Sequence, residues 1–213
     1  MPWSRVSSKP MSATTPPSTP DPVPRAPALQ VLVSYGLNRR GLPSPASFKA
    51  WFEAALGAVA ALPQARQPSQ AKRWLAQRSP LALSVRIADE AEARTLNQCW
   101  RGRDYATNVL SFDNEPGTGP QPALVGDLLL AGPVIVREAQ TQGKTTIAHY
   151  AHLTVHGVLH VLGFDHEIGA EAKAMEALET HILLALGLPD PWAGRARRRP
   201  RRPKDASPEA PSD

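Results

Sequence analysis

The eleven residues His156 to His166, H-G-V-L-H-V-L-G-F-D-H, constrain this chain more than any other stretch. His156 and His160 are four residues apart, and in an α-helix that spacing puts both rings on one face, one turn above the other. Gly163 follows at a position where a helix ends in a left-handed residue and the chain turns back. The turn then brings His166 round to the point that the other two rings face. Three imidazoles aimed at one point, with a fourth position left for water, are the ligand set of a catalytic zinc site rather than of a closed structural one. The rest of the chain is read as the scaffold that holds them.

The spacing is that of the metzincin signature H-E-x-x-H-x-x-G-x-x-H, with Gly157 where those proteases carry their glutamate base. The metal ligands survive that change, but the carboxylate that activates water is absent.

Composition limits the rest. A chain of 213 residues holds one domain or at most two small ones, and its 23 prolines are too many for uniform packing. Eight prolines lie in residues 1–28 and six in residues 189–213, so both ends read as disordered: an arm rich in Pro, Ser and Thr, and a tail rich in Arg and Pro. Residues 29–188 remain as a single domain of ordinary size. The formal charge of +5 has a local origin. Seven basic residues and three acids lie between Arg195 and Asp213, leaving the rest nearly neutral. Such a tail reads equally as a phosphate-attracting arm and as a solubilising one. The lone Cys99 forbids an intrachain disulfide and suits a reducing compartment. Its place beside Trp100 in a helical stretch suggests buried packing. No apolar run is long enough to cross a membrane, and the N-terminal stretch lacks the apolar core of a secretory signal.

Periodicity places the elements. Strands are expected over Leu29–Tyr35, Leu81–Ala88 (half-buried by its alternation), Asn108–Phe112, and Leu124–Leu130 with an interruption at Gly126-Asp127. A helix is expected over Ala46–Leu62, with Phe48, Trp51, Phe52, Leu56 and Val59 facing the core, and a short polar piece, Gln70–Arg78, lies between prolines and is pinned to the body by Trp74. Further helices run from Asp89 and Glu92 to Trp100, from Pro133 to Gln142, from Thr145 or Thr146 to Leu162, and over Ala170–Leu186. Intermixed strands and helices define an α/β (α+β) single domain. Its mixed sheet has about four strands packed with about five helices, and the metal helix lies beneath it.

Two stretches, L-N-Q-C-W-R-G-R-D-Y-A-T-N-V-L-S-F (96–112) and H-L-T-V-H-G-V-L-H-V-L-G-F-D-H-E (152–167), together resemble the YbeY family of bacterial endoribonucleases, and V-G-D-L-L-L (125–130) between them fits as well. Ala106 replaces a frequent proline and Phe164 a usual tyrosine, and neither is a proposed ligand. The resemblance covers roughly residues 29–188. It implies one zinc ion per chain held by His156, His160 and His166, and an arginine essential to activity at Arg101. It also implies cleavage of single-stranded RNA in ribosomal RNA maturation (the 3′ end of 16S rRNA) and ribosome quality control, in company with the small ribosomal subunit.

The chemistry is consistent with those roles. A guanidinium presents two parallel donors to a phosphate, so Arg101 near the metal suits the charge that develops during RNA cleavage. Asp165 and Glu167 flank the last ligand, where each either orients a ligand, moves a proton or caps the turn. His149 and His152 extend the ligand stripe, with a core hydrogen-bonding role favoured for His152, and His181 reads as structural. The competing readings are a zinc metalloprotease-like hydrolase, disfavoured by Gly157, and a non-catalytic ribosome-binding factor with a structural zinc.

Overall fold

A computed structural model describes residues 28–77, 79–115, 122–165 and 169–193. The remainder of the two terminal segments expected to be disordered lies outside these residues, as do His166 and Glu167.

Four strands form one mixed sheet in the order β1 (Leu29–Tyr35), β2 (Leu81–Ala88), β4 (Ala123–Ala131), β3 (Val109–Asp113). The first three run parallel, and β3 closes one edge antiparallel to β4. Six α-helices accompany them among the described residues: α1 (Pro45–Ala61), α2 (Ser69–Leu75), α3 (Glu90–Arg101), α4 (Gly132–Gln142), α5 (Thr146–Val161) and α6 (Gly169–Ala185). This is the expected mixed α/β domain with one helix more, the short α2, anchored through the buried indole of Trp74.

Local chemistry sets the boundaries. Ser44, Asp89 and Thr145 cap α1, α3 and α5, each side chain accepting from the backbone N–H three residues on. Gly102, Gly143 and Gly163 end α3, α4 and α5 with φ of 67°, 64° and 88°.

The main core lies between one sheet face and α1, α5 and α6, and contains Phe48, Trp51, Phe52, Leu56 and Val59 as expected. A smaller cluster of Ala88, Ala93, Leu110, Leu129, Ala131 and Val134 fills the space under α3 on the other face. Two expectations need correction here. Strand β2 is almost wholly buried rather than half-buried, because it is paired on both edges and covered on both faces. Strand β4 is continuous through Gly126-Asp127. The irregularity is one residue earlier, where the register with β2 steps from Leu124 to Gly126 and leaves Val125 as a bulge.

Helix α5 approaches the sheet closely, and two glycines make this possible. A Cβ on Gly126 would stand 2.6 Å from the Phe112 carbonyl and 2.6 Å from a Val161 methyl of α5. Neither neighbour can yield, since one is ladder backbone and the other is buried. Gly126→Ala is therefore expected to destabilise the fold by about 1–3 kcal/mol, the usual cost of overpacking. For a domain of this size that lowers Tm by roughly 2–4 °C per kcal/mol, and thermal unfolding followed by circular dichroism checks it.

Candidate active site

Helix α5 is buried along most of its length, so its polar side chains are chosen by function or by satisfied hydrogen bonding rather than by solvent. His156 and His160 do share one face, with ring centroids 4.5 Å apart and Nε2 atoms separated by 3.1 Å.

Their partners fix the tautomers. The Nδ1–H of His156 donates to Glu179 Oε1 at 2.7 Å, and that of His160 to the Phe164 carbonyl at 3.0 Å. When each ring is neutral, Nδ1 carries the proton and each Nε2 turns its lone pair toward the other. Such an arrangement repels unless a cation lies between. Two imidazoles on a tetrahedral zinc, at about 2.0–2.1 Å per bond, would separate their nitrogens by about 3.3 Å. The donor set and its spacing therefore fit the expected metal.

The turn after α5 explains why His160 is held. Gly163 N–H donates to the His160 carbonyl and Phe164 N–H to the Leu159 carbonyl, the two bonds of a Schellman ending, with Gly163 left-handed as expected. That ending aims the Phe164 carbonyl back at the His160 ring. His166, the third expected ligand, lies just beyond the described residues.

Glu179 is a site residue that sequence reasoning missed. It projects from α6 and is 1% exposed, and its second oxygen accepts from His152 Nε2–H at 3.2 Å. Burial opposes its ionisation, but the hydrogen bonds from His152 and His156 outweigh burial and hold its pKa at about 2. A carboxylate that orients a ligating histidine through the ring's far nitrogen is a recurrent feature of metal sites. The signal was present in the sequence: Glu179 occupies a place on the apolar stripe Met175, Leu178, Ile182 of the last helix, where a charge has no reason to be without a partner.

The other histidines sort themselves by contact. Burial pushes the His152 imidazole down, partly countered by its hydrogen bond to Glu179, so it stays neutral in the core, as expected. Its ring meets Trp192 edge-on at 5.0 Å. His149 Nε2–H donates to Glu138 at 2.8 Å, and Asn108 donates to the same carboxylate, tying α5 to α4 and the start of β3. The bond from His149 is the main reason the Glu138 pKa is lowered. His181 is exposed on α6 and stands apart from the pair.

Beside His160 opens a cleft of about 450 Å³ lined by Arg101, Arg103, Ser111, Asp113, Val161 and Asp165. The structure thus places Arg101, from the last turn of α3, in the cleft that His160 lines, and adds Arg103, which the sequence reading did not single out. Asp165 lies in the same cleft, and Glu167 falls outside the described residues.

Gly157 occupies the point where a protease would place its base. A Cβ there would stand 2.8 Å from Leu128 Cδ2 and 3.0 Å from Ser111 Oγ. The face of α5 that bears Gly157 is pressed onto β3 and β4 and has no room for a carboxylate.

Cys99 is exposed, against the expectation of burial. The buried face of α3 is set by Ala93 and Asn97, and Cys99 falls on the opposite side.

Fold and site together define a mixed α/β domain in which a buried helix carries a histidine pair beside a cleft lined by two arginines and two aspartates. The chain belongs to the YbeY family: the family profile described as Endoribonuclease YbeY matches residues 47–187. Endoribonuclease YbeY of Xanthomonas axonopodis pv. citri (strain 306) is 49% identical over 170 residues, covering 78% of this chain and 94% of its own length. Its counterpart in Stenotrophomonas maltophilia (strain K279a) is 48% identical with the same coverage. The solution structure of TM1509 from Thermotoga maritima aligns with 86% of this chain and 99% of its own at a TM-score of 0.42 and 19% identity.

Proposed function

We propose that this protein is a zinc-dependent endoribonuclease that cuts single-stranded RNA, using His156, His160 and His166 as metal ligands and Arg101 as the principal phosphate-binding group. The observation that carries this reading is the pair of Nε2 atoms 3.1 Å apart, each ring anchored through its Nδ1, beside a cleft that also holds two arginines. Relatives named as endoribonucleases supply the reaction class.

When bound, zinc supplies a Lewis acid and lowers the pKa of water toward about 7. The chain's own groups do the rest. Glu179 and the Phe164 carbonyl hold two imidazoles in the ligating tautomer, with no reorganisation needed when the metal enters. Arg101 and Arg103 offer donors to the non-bridging phosphate oxygens, where charge grows during cleavage. Asp165 and Asp113, in the same cleft, are carboxylates placed to move a proton there. The protease alternative is disfavoured because position 157 excludes the base carboxylate that such enzymes use.

In the cell, the reading extends to maturation of ribosomal RNA, at the 3′ end of 16S rRNA, and to ribosome quality control, with the small ribosomal subunit as partner and the cytoplasm as location. No helix among the described residues is long and apolar enough to cross a membrane.

The test is cleavage of a single-stranded oligoribonucleotide by purified protein, before and after chelation and with zinc restored. Loss on chelation and recovery with zinc is the expected result. Cleavage indifferent to chelation would overturn the metal dependence.

A further inference from the structure

Trp100 and Tyr105 are 68% and 52% exposed, whereas the other large exposed apolar side chains among the described residues are aliphatic: Leu32, Ile147 and Leu184. The two rings flank the arginines of the cleft in sequence, Trp100 directly before Arg101 and Tyr105 two residues after Arg103.

They are also held in place. The Trp100 ring stands edge-on against Phe112 at 5.5 Å; Phe112 lies on the edge strand β3 and faces the α3 side, opposite Ser111 and Asp113 of the cleft wall, so the ring and the cleft lie on the two sides of that edge. The loop carrying Tyr105 is fixed at three points. Asn97, 1% exposed, donates from Nδ2 to the Tyr105 carbonyl at 2.7 Å. Arg94 grips Asp104 with two parallel bonds of 2.6 and 2.7 Å. Arg103 Nη1 reaches the Tyr105 hydroxyl at 3.3 Å. The buried asparagine fixes one loop carbonyl, and the exposed bidentate ion pair adds to the definition of the loop's shape.

Exposed, pre-positioned aromatic rings alternating with phosphate-seeking arginines match the chemistry of unpaired nucleotides, whose bases stack on rings while their phosphates take guanidinium donors. A duplex keeps its base faces covered and gains nothing from such a surface. We propose that Trp100 and Tyr105 form a base-stacking platform that seats single-stranded RNA beside the cleft, with Arg101 and Arg103 holding the intervening phosphates. The proposal rests on the RNA-cleaving reading and adds the residues that select the unpaired strand.

The test uses the full chain and two probes, an unstructured oligoribonucleotide and a blunt RNA duplex. Binding is followed by fluorescence anisotropy and cleavage by kcat and KM, for the wild type and for Trp100→Ala, Trp100→Leu and Trp100→Phe. A stacked base is worth a factor of about 5–150 in affinity. Trp100→Ala and Trp100→Leu should therefore weaken single-strand binding and raise KM by such a factor, with kcat and Tm little changed. Trp100→Phe should recover most of the loss, which apolarity alone in the leucine variant would not. Tyr105→Ala should act in the same direction, and duplex affinity should not move. Cleavage by Trp100→Ala with unchanged single-strand affinity and KM would overturn the platform while leaving the nuclease reading intact, and would point to a protein partner for the ring. A wild-type protein that neither binds nor cuts single-stranded RNA would overturn both.

Discussion

Replacing His160 by alanine is expected to abolish zinc binding and RNA cleavage together, whereas Arg101→Ala should keep the zinc and lose about 10²–10³-fold in cleavage rate. The contrast follows from where each side chain sits. His160 is held by the Phe164 carbonyl with its Nε2 toward His156, so its loss removes one half of the pair that the whole of α5 is built to present. Arg101 is exposed at the end of α3, outside both hydrophobic clusters, and its removal leaves α5 and Glu179 untouched. Its contribution is confined to charge that develops on the phosphate, which acts on the transition state far more than on the folded protein. Arg101→Lys is expected to recover little, because a point charge does not reproduce two parallel donors. Zinc content by atomic emission and single-turnover cleavage of an oligoribonucleotide read the two effects separately. Arg101→Ala protein that cleaves at the wild-type rate would remove Arg101 from the site; zinc-replete His160→Ala would remove His160.

The parts of this structure that were legible in the sequence are those fixed by local rules. The stripe of Phe48, Trp51, Phe52, Leu56 and Val59, the caps at Asp89 and Thr145, and the left-handed Gly163 all follow from periodicity and backbone sterics within one or two turns. The pairing of His156 with His160 was legible for the same reason. What escaped depends on contacts between distant segments. Nothing near Leu81–Ala88 announces that helices cover both faces of β2, since its alternation resembles that of a half-exposed strand. Cys99 was misplaced because the core-facing side of α3 is decided by Ala93 and Asn97, and the apolar neighbour Trp100 lies outside that core altogether. Gly157 read as the loss of a catalytic base; the fold gives it a positive role, letting α5 lie on β3 and β4. Glu179 lies 23 residues from the histidine it orients, and only the packing of α6 against α5 joins them.

Glu179 also carries the second large prediction. Its two oxygens take the N–H groups of His152 and His156, which makes it an ionised, 1% exposed link between α6 and the histidine face of α5. Glu179→Ala would leave two imidazole donors buried without an acceptor and open a cavity between the helices. A buried donor left without an acceptor costs about 1–3 kcal/mol and the cavity adds to that, enough to threaten folding in a domain of ordinary stability. Glu179→Gln is the sharper experiment. The amide oxygen can accept from one imidazole, while its N–H₂ group has to face the other, so one histidine is pushed toward the wrong tautomer. Zinc affinity is expected to fall by about 10–100-fold, the range seen when a group behind a ligating histidine is changed. The fold should survive, judged by circular dichroism, so that metal loss and unfolding can be told apart. Acid titration gives an independent check with a definite sign. Because the folded carboxyl titrates at about 2 instead of its ordinary 4.5, its ionised form contributes stability that is fully present above pH 4.5 and is lost as the pH falls toward 2. Glu179→Gln should lack that part of the acid destabilisation while starting from lower stability at neutral pH. A variant whose stability falls between pH 4.5 and 2 as steeply as the wild type would mean that Glu179 does not hold His156 in the folded protein.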